Sequence, residues 1–128
     1  MTMRGEIYWV DRSPSRGSEQ EGRRPALIVQ NNTGNQFSST TIVVSLTTRK
    51  MKKRYPFHVP VPTGLLPKDG TVMCEQIMTI DQSRLIGDPI ALLDDDIMEE
   101  VDEAIRLSLG LRRVSVKPGA PVGERFRE

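Results

Sequence analysis

A mainly β domain closed by one C-terminal helix, an α+β class, is what this 128-residue sequence predicts, and three observations predict it. Short runs rich in β-branched and aromatic residues recur through the first two thirds of the chain, separated by Gly, Pro, Asn and Asp clusters. Only one long stretch, from Asp94 onward, carries apolar residues at helical spacing. The length suits one domain with one core, and a hydrophobic fraction of 37% with 27% charged residues is that of an ordinary water-soluble fold.

Residues 4–11, ending in Ile7-Tyr8-Trp9-Val10-Asp11, read as a first strand that closes at the turn-rich Asp11-Arg12-Ser13-Pro14-Ser15. The polar loop over 12–24 is long for a small domain, so a binding role is expected of it. Residues 26–30 form the second expected strand, and Asn31-Asn32-Thr33-Gly34-Asn35 a turn cluster. The third strand, 40–48, has the core-like run Ile42-Val43-Val44 with Leu46 and ends in the hydroxyls Ser45, Thr47 and Thr48. Pro56, Pro60 and Pro62 hold a short strand at 57–61 to a sheet edge, because proline cannot donate to a ladder. Residues 65–70 read as loop and turn, and 71–80 as a further strand carrying Glu75 and Gln76. The helix is capped by Asp94, has acids in its first turn, an apolar stripe of Ile97, Met98, Val101, Ala104, Ile105 and Leu109, and a stop at Gly110. Residues 1–111 are thus expected to be the domain, and 112–128, rich in Pro, Gly and charge, a mobile tail.

Composition excludes several functions. No apolar run approaches the roughly 18 residues of a membrane span, and the N-terminus lacks the apolar core of a secretion signal, so a cytoplasmic location is expected. One cysteine, Cys74, leaves no internal disulfide. With His58 as the sole histidine there is no metal-ligand set, so neither metal nor cofactor is expected. Cys74 reads as a buried strand residue. The net charge is only +1, but its distribution is uneven. Residues 1–64 carry ten Lys or Arg against four Asp or Glu, a balance of +6, and residues 65–128 carry eight against thirteen, a balance of −5. A basic face offered to a polyanion follows.

Two stretches point to chemistry. In Gly22-Arg23-Arg24-Pro25-Ala26-Leu27-Ile28-Val29-Gln30 a glycine-led loop with two arginines runs into an apolar strand. Pro25 pushes Arg24 toward an extended conformation, so the guanidinium projects from the rim of the core. A planar, permanently charged fork there suits phosphate binding and stabilisation of developing charge. The second stretch, Arg49-Lys50-Met51-Lys52-Lys53-Arg54, is followed by Tyr55, Phe57 and His58. Cations beside rings suit single-stranded nucleic acid, charges tracking phosphates and rings stacking on bases.

Arg4-Gly5-Glu6-Ile7-Tyr8, Gly17-Ser18-Glu19-Gln20, Arg24-Pro25, Val43-Val44-Ser45-Leu46-Thr47-Thr48 and Glu75-Gln76-Ile77-Met78-Thr79-Ile80-Asp81 occur in one order. Together they resemble the MazF/PemK family of toxin endoribonucleases over about residues 3–111. The resemblance implies an SH3-like small β-barrel of the CcdB/PemK/MazF type with a C-terminal helix, a homodimer, and metal-independent, sequence-specific cleavage of single-stranded RNA. It also implies a cognate antitoxin whose acidic C-terminal segment blocks the RNA groove. Residue by residue, the family's catalytic arginine falls on Arg24 and its catalytic hydroxyl on Thr47, with Thr48 one step away. Ser18, Glu19 and Gln20 fall on the segment lining the RNA groove and Gln76 on a base-contacting position. Arg23, Thr48, Lys52, Lys53 and His58 complete the expected RNA-binding set. The tail and the strongly basic run 50–54 depart from the family pattern.

RNA carries its own nucleophile, the 2′-OH, so a protein can cleave it by holding that group in line and stabilising the charged phosphorane. Arg24 supplies charge and, with a pKa above about 12, is a clamp and proton donor more than a base. Thr47 would hydrogen-bond a phosphate oxygen. His58 reads as a groove or edge-strand residue before a base. Two rivals stand beside the nuclease: a non-cleaving nucleic-acid or peptide-binding module, and a CcdB-like gyrase poison. Arg24 before Pro25 and Thr47 at a strand end favour the nuclease.

Overall fold

In the computed structural model, which describes residues 1–11 and 22–112, period-two alternation of apolar residues puts hydrophobic surface on both sides of the central strands. Along β1 (Glu6–Asp11) the even and odd positions serve different cores: Ile7 joins a large cluster, Tyr8 and Val10 a smaller one on the other face. β2 (Arg23–Ile28) repeats the pattern, Leu27 facing the large cluster and Ala26 and Ile28 the small one. This explains an apolar run without alternation: the strand is buried on both sides. β3 (Thr40–Thr47) does the same with Val44 and Leu46 against Val43.

β4 (His58–Pro60), β5 (Thr71–Asp81) and β6 (Leu85–Leu92) complete a six-stranded sheet in the order β4-β5-β3-β2-β1-β6, every pairing antiparallel. Val59 of β4 and Ile90 and Ala91 of β6, at opposite edges, pack on the same large cluster, so the sheet curves around it. Among the described residues no ladder joins the two edges, and the seam of the expected barrel stays open.

The helix is where the sequence placed it. In α2 (Asp95–Leu109) the Asp94 carboxylate accepts from the Ile97 N–H at 3.0 Å, and Gly110 ends the helix with φ of 68°. Met98, Val101 and Ala104 enter the large core. Arg4 ties the N-terminus to this layer by pairing with Asp102 and donating from Nε to the Val29 carbonyl at 2.9 Å.

Four details differ from expectation. The cluster at 31–35 is not an open turn but the start of a short helix, α1 (Asn32–Phe37), because the Asn31 side chain caps it by accepting from the Gly34 N–H at 2.7 Å. β6 was not anticipated: no element was expected between 81 and 93, where Gly87 and Pro89 are residues that disfavour a regular strand. Its ladder with β1 shifts between Ile7↔Ala91 and Trp9↔Ile86, and that irregularity houses the breakers, with Gly87 at φ of 66°. Arg23 and Arg24 belong to β2 and not to a loop, and β2 ends at Ile28 where the expected strand ran to residue 30. Pro25 is tolerated because the β2–β3 ladder begins only at Ala26↔Ser45, leaving that side of Pro25 without a partner strand.

Candidate functional site

Three strands converge on one depression. Pairing of β2 with β3 runs Ile28↔Val43, Leu27↔Val44, Ala26↔Ser45. Continued two residues past its last pair, the same register sets Arg24 opposite Thr47, on the face that Ala26 and Ser45 share. Both residues line a cavity of about 440 Å³ together with Ser45, Met73 and Gln76 and, from the chain after β3, Arg49 and Lys52.

Gln76 reaches that cavity through an irregularity in β5. The β3–β5 ladder reads Val44↔Ile77 and then Ser45↔Met73, so one step along β3 spans four along β5. Cys74, Glu75 and Gln76 form the extra length, and such a bulge re-aims side chains. Cys74 turns inward and is fully buried; burial, then the nearby Glu75 charge, pushes its thiol up to about 12, which removes it as a nucleophile. Gln76 turns outward into the cavity.

Thr47 is fixed by the turn that follows it. The Arg49 N–H donates to its Oγ1 at 3.1 Å, which holds the rotamer and leaves the hydroxyl proton free for an outside acceptor. Arg24 is exposed, and no ion pair between described residues involves it. An exposed guanidinium without an internal carboxylate is available to an external anion. Arg23, on the alternate face, lines a neighbouring cavity of about 470 Å³ with Trp9, Pro25, Thr48 and Ile86, into which Arg24 also extends. Thr48 opens to that second cavity and not to the one holding Gln76, which separates the two threonines by strand alternation.

The basic stretch borders a third cavity, of about 560 Å³, with Thr48, Arg49, Lys50, Arg54, His58 and Lys68 among its walls. Arg49 and Lys50 are shared with the Arg24 cavity, so a cationic ridge separates the two. Lys52 lines the Arg24 cavity, and Lys53 is exposed beside it in the chain. His58, on edge strand β4, is buried, its Nε2 3.2 Å from the Glu75 carboxylate and its ring edge-on to Tyr55 and Phe57. Ser18, Glu19 and Gln20 lie outside the described residues, as does the tail beyond residue 112.

The structure thus brings Arg24, Thr47, Gln76 and Lys52 to one cavity, Arg23 and Thr48 to the adjoining one, and His58 to a third. Sequence reasoning grouped Ser45 with the hydroxyls at the end of β3 without giving it a site role, and did not single out Met73; both line the cavity. Ser45 carried a signal, as the polar residue alternating with Thr47 on one face. Met73 carried none, because the length of the β5 irregularity is not written in its apolar pattern.

Among proteins of known kind, the chain is 46% identical over 110 residues to Endoribonuclease EndoA of Bacillus subtilis (strain 168), covering 84% of this chain and 94% of that one. An endoribonuclease solved in complex with its cognate antitoxin, from a mycobacterial species, superposes with a TM-score of 0.72 at 26% identity over 88% of this chain and 99% of its own. MazF from Deinococcus radiodurans does so with a TM-score of 0.69 at 30% identity, over 86% and 97%. The family model described as a PemK-like, MazF-like toxin of type II toxin-antitoxin systems matches residues 3–109. On that match, and on the 46% identity over most of both chains, the chain belongs to the PemK-like, MazF-like toxin family.

Proposed function

We propose that this toxin endoribonuclease cleaves single-stranded RNA at short sequences by transesterification, with Arg24 and Thr47 as the catalytic pair. The observation that carries the reading is the meeting of Arg24, Thr47 and Gln76, from three strands, in one cavity rimmed by cations that form no ion pair with another described residue. RNA supplies the nucleophile. Its 2′-oxygen forms a bond to phosphorus as the bond to the 5′-oxygen breaks; the 2′ proton passes to solvent and the leaving oxygen takes one up. Products are a 2′,3′-cyclic phosphate and a 5′-OH. Arg24 grips the non-bridging oxygens as charge builds and donates toward the leaving oxygen, Thr47 donates its free hydroxyl proton to the phosphate, and Gln76 contacts a base. Lys52, Lys53 and Arg23 track flanking phosphates.

The acting unit is a homodimer in the cytoplasm, restrained by an antitoxin whose acidic segment competes with RNA for the same cations. The mycobacterial neighbour solved with its cognate antitoxin supports the partner, and the exposed cations at 49–54 supply the charge complement. The decisive experiment incubates purified protein with a long RNA in EDTA and maps the ends. Cuts at a short recurring sequence with cyclic phosphate ends are expected, and Arg24→Ala should slow them on the order of a hundred-fold while RNA binding weakens far less. Binding without cutting by the wild type, with or without added divalent metal, would hand the case to a non-cleaving module.

A further inference from the structure

We infer that His58 and Glu75 form a positioning couple that sets the sequence preference of cleavage by fixing where Gln76 stands. The inference rests on the proposed role of Gln76 at the RNA base. On its β3 side the irregular segment of β5 has no regular pairing, since the ladder skips from Met73 to Ile77. Besides the burial of Cys74, it is held by hydrogen bonds on its outer side. The Cys74 N–H donates to the Phe57 carbonyl at 2.9 Å, and His58 Nε2 meets Glu75 Oε2 at 3.2 Å. Both bonds fall on the two residues immediately before Gln76 and both come from β4 or the residue before it.

The histidine is itself immobilised. Its ring stands edge-on to Phe57 and Tyr55, with centroids 4.8 and 5.6 Å away, and those two rings stack on each other at 5.2 Å. Its other nitrogen, Nδ1, is buried with no hydrogen-bonding partner among the described residues. A lone pair is cheaper to bury unsatisfied than an N–H, so the proton belongs on Nε2, pointing at Glu75. A ring held against two near-perpendicular aromatic neighbours, with its Nε2 aimed at one acceptor, defines one position for the Glu75 carboxylate. Gln76, the next residue, then faces the cavity of Arg24 and Thr47. Neither His58 nor Glu75 lines that cavity, so their effect on cleavage travels through the backbone of the bulge.

The test compares His58→Ala, His58→Gln, Glu75→Ala and the His58→Ala/Glu75→Ala double variant with Gln76→Ala, on one RNA carrying the preferred site and one with a single mismatched base. His58→Ala and Glu75→Ala should each reduce the preference for the matched RNA roughly ten-fold, mainly through KM, and the double variant should lose no more than either single one. His58→Gln, whose amide N–H can reach Glu75, should restore most of the preference even where its melting temperature does not recover. Simple loss of stability predicts the opposite, matched and mismatched RNA falling together at temperatures well below melting. If the two single losses multiply in the double variant, or the preference is unchanged while Gln76→Ala abolishes it, the couple does not position Gln76. If Gln76→Ala itself leaves the preference intact, the fault lies with the base-contact reading of Gln76.

Discussion

On the helix side of the molecule each of the two arginines that holds the frame is bonded to an acid: Arg4 to Asp102, and Arg106 to both Glu103 oxygens at 2.6 and 2.9 Å. Around the cavity of Arg24 the opposite holds. Arg23, Arg24, Arg49, Lys50, Lys52 and Arg54 are all exposed, and none forms an ion pair with another described residue. The net charge of +1 therefore conceals two populations of cations, one neutralised inside the fold and one left open. In the first, Arg4 ties the N-terminus to the helix and Arg106 braces the helix's own last turn. The second repels itself, weakening the fold slightly, and becomes favourable only when a polyanion arrives.

If that division is right, damage to the frame and damage to the rim should register on different instruments. The largest effect is expected in the frame. Leu27, fully buried in β2, should cost about 2–5 kcal/mol as Leu27→Ala, read from the denaturant midpoint, and should reduce activity only as far as the protein unfolds. Arg24→Ala, three residues away on the same strand, should leave that midpoint within about 0.5 kcal/mol of wild type while cleavage falls on the order of a hundred-fold. A parallel loss of stability in Arg24→Ala would break the comparison. Thr47 tests it more finely. Thr47→Ala should slow cleavage roughly ten-fold or more, whereas Thr47→Ser, which keeps the acceptor for the Arg49 N–H and the free proton, should retain most of the rate. Equal losses in the two would mean that the methyl group, and not the hydroxyl, matters.

The smallest effect belongs to the outermost cations. Replacing Lys52 and Lys53 together by Ala should barely alter the rate at saturating RNA, but should flatten the plot of log affinity against log salt by about 1.4, near 0.7 per cation lost. An unchanged slope would place both lysines off the RNA path.

How much of this was legible in the sequence depends on whether the signal was local. The helix is written in its own residues, cap at Asp94 and stop at Gly110, and it appeared between them. The apolar run of β2 and the hydroxyl end of β3 were likewise legible. The adjacency of Arg24 and Thr47 was not, because it depends on the register between two strands; only the order of family motifs pointed to it. β6 escaped because Gly87 and Pro89 are breakers in isolation and admissible in an edge strand with a shifted ladder. Placing Arg23 and Arg24 in a loop failed for a related reason. Pro25 argues against a strand only when both flanks are paired, and the missing β3 partner at that position is a tertiary fact.

The irregular segment of β5 has a consequence for how such a molecule can change over generations. Arg24 and Thr47 stand on strands whose register is locked by two buried cores, so alterations there threaten the fold or the reaction. Gln76 stands on a segment excused from that register. Substitutions at 75 and 76, which are exposed beside the buried Cys74, can redirect the side chain proposed to face the RNA while the chemistry and the core stay as they were. A lineage carrying this architecture can thus explore new target sequences one residue at a time without passing through an inactive or unfolded ancestor.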